Sequence, residues 1–312
     1  MGVLSAPPGR VTPADVAAGY ALADTLMARA GRTYHLASRL LPAESRRAVA
    51  ALYGFARTAD DVVDTDRFPD PADRGRALDD LRDGLASALA GEPVPGPADR
   101  RRLVLALADA VVRFGIDPAT FDAFTHSMRM DVPGTPEFRN RYRTIAELGE
   151  YTYGSAAVIG LQLLPVLGAA GLGDEVTAGA ALLGVAFQHT NFLRDVAEDL
   201  WRDRIYLPLD VLEAFGVDEE VLHRDAARRT TSRPLRAAVR HLIAVNRDEY
   251  RRTAPAIAAL PARTRPAIAA AARSYGDILT EIEHAGHDVM AARVVVPARR
   301  RIGHAARALV LK

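Results

Sequence analysis

The sequence predicts an all-α protein. Apolar residues recur at spacings of three and four, alanine is abundant, and no run of alternating β-branched residues marks a strand. Breakers cut this pattern at regular intervals. Thr12-Pro13-Ala14-Asp15 and Asp117-Pro118 each offer a capping side chain followed by proline at the first helical position. Leu40-Leu41-Pro42 opens a helix expected to run through Tyr53 to Asp64. Turns are expected at 67–75 (with Pro69 and Pro71), 91–97, 131–136, 168–174, 208–218 and 254–261. The most apolar stretch, 156–172, is interrupted by Gln162, Pro165 and glycines, so it reads as buried helix rather than as a membrane span. Tyr275 to Ile282 reads as amphipathic helix, with a stop near Gly286 and a restart towards Val294. No linker is long or distinctive enough to divide the chain. One domain over 1–312 is expected, with peripheral ends at about 1–15 and 297–312.

Composition narrows the function classes. Hydrophobic residues at 49% and charged residues at 25% suit a globular core, which argues against disorder. Lys+Arg 40 against Asp+Glu 39 leaves a net charge of +1, so no overall field favours nucleic acid, and Arg299-Arg300-Arg301 reads as a solvated terminal helix. With no cysteine, disulfides, thiol nucleophiles and cysteine zinc sites are excluded. Residues 1–13 lack an apolar signal region, so a cytoplasmic protein is expected, with membrane association as the alternative. His284 and His287 are separated by Gly286, a helix end, and no HExxH, Ser-His-Asp elbow or glycine-rich phosphate loop is present.

The chemistry gathers in two stretches. If 182–200 is one helix, turning about 100° per residue, Gln188, Asn191, Asp195 and Asp199 share an arc of roughly 80°. About 130 residues earlier, Tyr53, Arg57, Asp60 and Asp64 share an arc of about 60°, opposite Leu52, Phe55, Ala59, Val62 and Val63. Each helix therefore carries D-x-x-x-D on a polar face with an arginine close by. Two such faces around one cavity would repel unless cations lay between them. Hard carboxylate oxygens suit Mg²⁺, and arginines beside them suit phosphate oxygens. Between the two lies Tyr151-Thr152-Tyr153-Gly154-Ser155-Ala156-Ala157-Val158-Ile159-Gly160-Leu161-Gln162. Tyr151, Ser155, Val158 and Gln162 would share a face, while the small residues serve either close helix packing or a pocket.

These residues resemble those of the squalene/phytoene synthases, from about Arg32 to Val296. Tyr53 to Asp64 is similar to the family's Y-x-x-x-R-x-x-D-D-x-x-D, and Tyr151 to Gly160 to its Y-C-x-x-V-A-G-x-V-G. Gln188 to Pro208 is very close to Q-x-x-N-x-x-R-D-x-x-E-D-x-x-x-x-R-x-Y-L-P; Tyr275, Ile278-Leu279 and Arg293 complete the match. Departures are Thr152 for cysteine, Ser155 and Ile159 for valines, Ala157 for a second small residue usually glycine, and Ala30-Gly31 for the His-Ser of some members. The stretches 153–157 and 191–195 look most like bacterial phytoene synthases.

The resemblance implies the helical isoprenoid (terpenoid) synthase fold around a central cavity. Asp60, Asp64, Asp195 and Asp199 are then the metal ligands for Mg²⁺, with Mn²⁺ as a substitute. Arg57, Arg194, Arg204, Tyr206 and Arg293 are assigned to the diphosphates, Tyr53, Tyr151 and Tyr275 to the cavity, and Gln188 and Asn191 to positions beside the metals. The implied activity is a prenyltransferase that condenses two geranylgeranyl diphosphates head to head, through a cyclopropyl (prephytoene) diphosphate, to phytoene. The alternative is a squalene, dehydrosqualene or presqualene-diphosphate synthase using farnesyl diphosphate, with NADPH needed only in the squalene case. A non-catalytic scaffold of the same fold is the bland alternative. Prenyl diphosphates are the expected partners, with a peripheral membrane contact for product release; no nucleic-acid partner is expected, and the oligomeric state is left open.

Overall fold

A computed structural model describes residues 12–64 and 70–310. Apart from an isolated bridge between Arg141 and Ile205, all regular structure among the described residues is helical. The helices are α1 (Pro13–Ala30), α2 (Arg32–Ser38), α3 (Ala43–Asp64), α4 (Pro71–Leu89), α5 (Ala98–Phe114), α6 (Ala119–Arg129) and α7 (Ile145–Thr152). A single π turn, Tyr153–Ala157, leads from α7 into α8 (Val158–Val166). There follow α9 (Asp174–Arg194), α10 (Val196–Trp201), α11 (Leu209–Ala214), α12 (Glu219–Arg228), α13 (Arg233–Ala259), α14 (Arg265–His284) and α15 (Ala298–Val310).

Local chemistry explains most boundaries. The Thr12 hydroxyl accepts from the Asp15 amide and Pro13 opens α1; Asp70 and Pro71 do the same for α4. Of the turn expected at 67–75, residues 67–69 lie outside the described residues, and α4 already runs through Gly75. Three other expectations are corrected. Pro255 does not end α13, which continues to Ala259, so the turn falls at Leu260 to Thr264. The segment 208–218 is partly helical, as α11. After α14 the helix does not restart near His287: Gly286 and His287 both take left-handed backbone angles (φ 66° and 62°), and the chain stays irregular to Pro297.

Two apolar clusters flank the interior. One joins α3, α4, α5, α6 and α8 around Leu78, Leu107 and Phe121. The other joins residues of α7 and α9 to α14 around Leu193, Leu235, Ile243 and Leu279. Between them α8 lies against α9, and α9 against α13 and α14. Glycine sets the closest approach: a Cβ on Gly160 would lie 2.1 Å from the Ala180 carbonyl oxygen, and one on Gly184 2.2 Å from that of Ala156. No helix among the described residues is long and apolar enough to cross a membrane.

Gly160→Val should therefore destabilise the protein by about 3 kcal/mol, since the obstacle is backbone that cannot rotate away. Gly276→Ala, whose Cβ would meet nothing within 4 Å, is the matched control. Urea denaturation of the pair checks this, and equal midpoints would contradict the packing account.

Candidate active site

On α3 the buried side chains Leu52, Phe55, Ala59, Val62 and Val63 face the core, where the Phe55 ring packs on Phe121 and Phe124 at 5.6 and 6.0 Å. That rotation leaves Tyr53, Arg57, Asp60 and Asp64 lining the interior cavity. On the facing wall the single helix expected over 182–200 is broken at Asp195 (φ −106°, ψ 15°). The departure is one residue deep. The Asp195 amide still donates to the Asn191 carbonyl at 2.8 Å, and the Asp199 amide to that of Asp195 at 2.9 Å. Gln188, Asn191, Asp195 and Asp199 therefore all line the same cavity despite the break.

The rotation of α9 is fixed by a buried polar lock onto α13. His189 Nδ1 lies 2.9 Å from Glu249 Oε1, the Thr190 hydroxyl donates to Asn246 Oδ1 at 2.7 Å, and Asn246 donates to Glu249 at 2.8 Å. With 189 and 190 turned outwards, 188 and 191 turn in.

Beyond α10 the chain reverses at Asp203, in the left-handed region (φ 58°) that aspartate tolerates. Asn140 and Arg141 both donate to its carbonyl, at 3.0 and 2.6 Å. The reversal sends Arg204 back inside, where it is 8% exposed and donates to Asp64 at 2.7 Å and to the Asp131 carbonyl at 3.3 Å.

Every side chain assigned from the family's motifs to the metals, the diphosphates or the cavity lines one cavity of about 850 Å³: Tyr53, Arg57, Asp60, Asp64, Tyr151, Gln188, Asn191, Arg194, Asp195, Asp199, Arg204, Tyr206, Tyr275 and Arg293. The charged groups gather at the end where the exposed rim residues Arg32, Glu198, Arg293 and Val295 lie. The other end is apolar, bounded by Leu164, Leu167, Val176, Leu260 and Ile268. From Val176 to Asn191, both on the wall, α9 rises about 22 Å.

The middle segment is corrected. Because the π turn widens the coil by about a residue, Tyr151, Ser155, Ile159 and Leu163 line the cavity, whereas Val158 and Gln162 are buried away from it. Gln162 donates instead to the Thr120 hydroxyl at 3.1 Å.

Each wall holds one tethered and one untethered acid. Arg194 and Arg293 both grip Asp195 with paired hydrogen bonds, at 2.6–3.1 Å. Burial alone would raise the Asp195 carboxyl, but the two guanidinium groups outweigh it and hold it below the ordinary carboxylate range. Asp64 is tied to Arg204, and Arg57 pairs with Asp61 at 2.5 Å. Among the described residues no hydrogen bond or ion pair engages the carboxylates of Asp60 or Asp199. Burial, then the like charge of Asp64, pushes Asp60 up to about 7. Asp199 is raised as well, by burial and then by Asp195.

These features suit a divalent cation. Two partnerless carboxylates face the cavity, and the buried Oδ1 of Asn191, also on its wall, has no hydrogen-bond partner. Among the described residues no three acidic or histidine side chains converge closely enough to cage a metal alone. That fits Mg²⁺, which binds through one or two carboxylates and completes its shell with water and substrate phosphate.

The sequence model described as squalene/phytoene synthase matches residues 27–300. The chain belongs to the squalene/phytoene synthase family. It is 34% identical to a phytoene synthase of Arthrospira platensis, covering 96% of this chain and 95% of that one. It is 36% identical to a phytoene synthase of Thermus thermophilus, covering 86% and 85%. Among solved structures, a dehydrosqualene synthase in complex with ligand superposes with a TM-score of 0.81 at 25% identity, over 96% of this chain and 98% of that one. A squalene synthase from Alicyclobacillus acidocaldarius superposes at 0.74 with 22% identity, over 89% and 97%, which bears on the fold alone.

Within this squalene/phytoene synthase chain, the most consequential residue that sequence reasoning missed is Asp131. Its carboxylate accepts from the Tyr151 hydroxyl at 2.6 Å and the Tyr206 hydroxyl at 2.7 Å, and it is 4% exposed. A lone acid after a helix end looks like a turn residue, and nothing in its spacing signals otherwise. Tyr34 and Phe187 were also missed. Tyr275 stacks on Phe187 at 4.4 Å and packs against Tyr34 at 5.0 Å, forming an aromatic collar on the cavity wall. Gly31, a departure from the His-Ser of some members, lies against the Tyr53 ring, where a Cβ would come within 2.7 Å of ring carbons.

Asp131→Ala should cost about 3 kcal/mol, because Arg204 keeps its buried charge and both tyrosines lose their acceptor; Asp131→Asn should lose less, as urea denaturation can show. A second expectation concerns pH. The Asp60 carboxyl is raised from 3.8 to about 7 on folding, so its ionisation opposes folding: the penalty is absent below about pH 4 and complete above about pH 7. In chelator-treated buffer, Asp60→Asn should therefore melt higher than wild type at pH 8, and the difference should vanish near pH 4.

Proposed function

We propose that this prenyltransferase condenses two geranylgeranyl diphosphates head to head to phytoene. The observation that carries the reading is the cavity's length and polarity. It has acids and arginines at one end, and α9 lines it over about 22 Å, from Val176 at the apolar end to Asn191 beside the acids. Sixteen chain carbons advancing about 1.25 Å each span roughly 20 Å, the length of a C20 prenyl tail. A C15 tail, twelve chain carbons on the same count, spans roughly 15 Å and would leave about 7 Å of that run unfilled. Relatives named phytoene synthase at 31–36% identity support the same choice.

In this reading Arg194, Arg204 and Arg293 receive the diphosphates. Phosphate oxygens compete with carboxylates for the same guanidinium forks, so substrate entry would draw these arginines from Asp195 and Asp64 and release both acids. A divalent cation, Mg²⁺ or Mn²⁺, held by Asp60, Asp64, Asp195 and Asp199 beside Gln188 and Asn191, would supply Lewis-acid stabilisation of the leaving diphosphate. Breaking the C1–O bond of one substrate leaves an allylic cation, and the negative charge that develops on the leaving oxygen is met by the arginines, Arg57 included. The double bond of the second chain attacks that carbon, and loss of a proton closes the cyclopropane. A second ionisation, rearrangement and proton loss yields phytoene, so two diphosphates and two protons depart and no reductant is consumed. The faces of Tyr53, Tyr151 and Tyr275 line the space in which the cations form and stabilise them electrostatically. Tyr206, held by Asp131, stands beside Arg204 and keeps it aimed inwards.

Purified protein with Mg²⁺ should convert the C20 diphosphate to a C40 hydrocarbon without NADPH, as read by chromatography and mass spectrometry. Turnover of the C15 diphosphate alone, or dependence on NADPH, would overturn the assignment. Asp199→Asn should lower turnover by about 100- to 1,000-fold while circular dichroism remains that of wild type.

A further inference from the structure

Arg141 does not line the cavity, but it holds a turn on which two of the cavity's charged residues depend. Helix α10 ends in a Schellman motif: the Asp203 amide donates to the Leu200 carbonyl at 3.0 Å, and the Arg204 amide to that of Asp199 at 2.9 Å. The motif bonds the backbone of Arg204, whose side chain is tied to Asp64, to the backbone of Asp199, whose carboxylate has no partner among the described residues. Its central residue takes left-handed backbone angles, which glycine adopts freely and which cost a residue with a Cβ. Here that residue is Asp203, at φ 58°.

Contacts from the segment 139–141 offset the cost. Arg141 Nη1 donates to the Asp203 carbonyl at 2.6 Å and Nη2 to Asp203 Oδ1 at 2.8 Å, so one guanidinium grips both the backbone and the side chain. Its other edge, Nε with Nη2, holds both carboxylate oxygens of Glu219, the first residue of α12, at 3.0 and 2.9 Å. Asn140 Nδ2 donates to the same Asp203 carbonyl and to Oδ2, both at 3.0 Å. Along the backbone, the Ile205 amide donates to the Asn140 carbonyl and the Arg139 amide to the Met130 carbonyl, each at 2.9 Å. The segment therefore joins the end of α6, beside Asp131, to the turn that carries Arg204.

Magnitudes separate two roles for Arg141. The Asp203 side chain is 73% exposed, and an ion pair so exposed contributes little to stability. Placement is another matter, because groups that stabilise developing charge lose effect steeply with small displacements.

We propose that Arg141 is a positioning residue for the reaction: by holding Asp203 in the left-handed region, it sets where the Arg204 guanidinium and the Asp199 carboxylate stand relative to each other. Lysine does not replace it, because an ammonium lacks the planar fork that spans Asp203 and Glu219. The proposal rests on the reading of Arg204 and Asp199 as ligands of diphosphate and cation, but the turn itself is measured without either.

Arg141→Gln should lower kcat for the C20 diphosphate at least about tenfold, with a melting temperature within about 3 °C of wild type. Arg141→Lys should do the same. Arg143→Gln, which breaks the neighbouring exposed pair with Glu213, should leave turnover unchanged. Asp203→Gly removes the backbone cost, so adding Arg141→Gln to that background should lower kcat less than about threefold. A merely structural arginine would cause equal losses in both backgrounds. Hydrogen exchange of residues 200–206, followed by mass spectrometry without substrate or metal, should speed up about tenfold in Arg141→Gln and slow again when Asp203→Gly is added. Unchanged exchange in Arg141→Gln, equal kcat losses in the two backgrounds, or full rescue by lysine would each overturn the proposal. Wild-type protein inactive on both C20 and C15 diphosphates would instead overturn the functional reading, and the exchange rates would still decide this one.

Discussion

The structure depends on keeping acids apart from each other yet gathered around one space. Asp60, Asp64, Asp131, Asp195 and Asp199 all line the cavity, and their repulsion would open it if nothing answered it. The answer is a small set of buried guanidinium groups. Arg204 is the central one, linking Asp64 at the end of α3 to Asp131 beyond α6. Burial disfavours its charge, but Asp131, Tyr206 and Asp64 more than compensate, so it stays firmly protonated. Its place inside depends in turn on an aspartate that accepts left-handed backbone angles at 203.

This arrangement divides labour along the cavity. At the polar end each wall offers one acid already satisfied by arginine and one that is not. The satisfied acids stabilise the fold, and the same arginines can turn to phosphate. The unsatisfied acids raise the energy of the folded chain, which a bound cation would offset. The proposed function thus draws on the least stable part of the fold. At the apolar end, the glycine contacts between α8 and α9 set how close the walls stand, and α9 itself serves both ends. Its N-terminal turns line the apolar wall and its last two turns carry Gln188, Asn191 and Arg194.

What the sequence by itself determined is a matter of local repetition. Helix periodicity, caps and prolines specify all-α structure, and two D-x-x-x-D faces with flanking arginines specify polar helix surfaces suited to cations and phosphate. These signals survive in one dimension because residues four apart on a helix are neighbours in space. The family's motifs extended them to Tyr151, Arg204, Tyr206, Tyr275 and Arg293, and the fold brings all of these into one cavity. Only the tertiary structure decided the rest. The break at Asp195 depends on a carboxylate gripped by Arg194 and by Arg293, nearly a hundred residues away. The π turn at Tyr153–Ala157 moved the cavity face from Val158 and Gln162 to Ile159 and Leu163, and no local propensity announces such a turn. Asp131 became central because Tyr151, Arg204 and Tyr206 converge on it from separate segments. In each case the deciding partner is distant in the chain, and the energy lies in burial and charge pairing that exist only once the helices have packed.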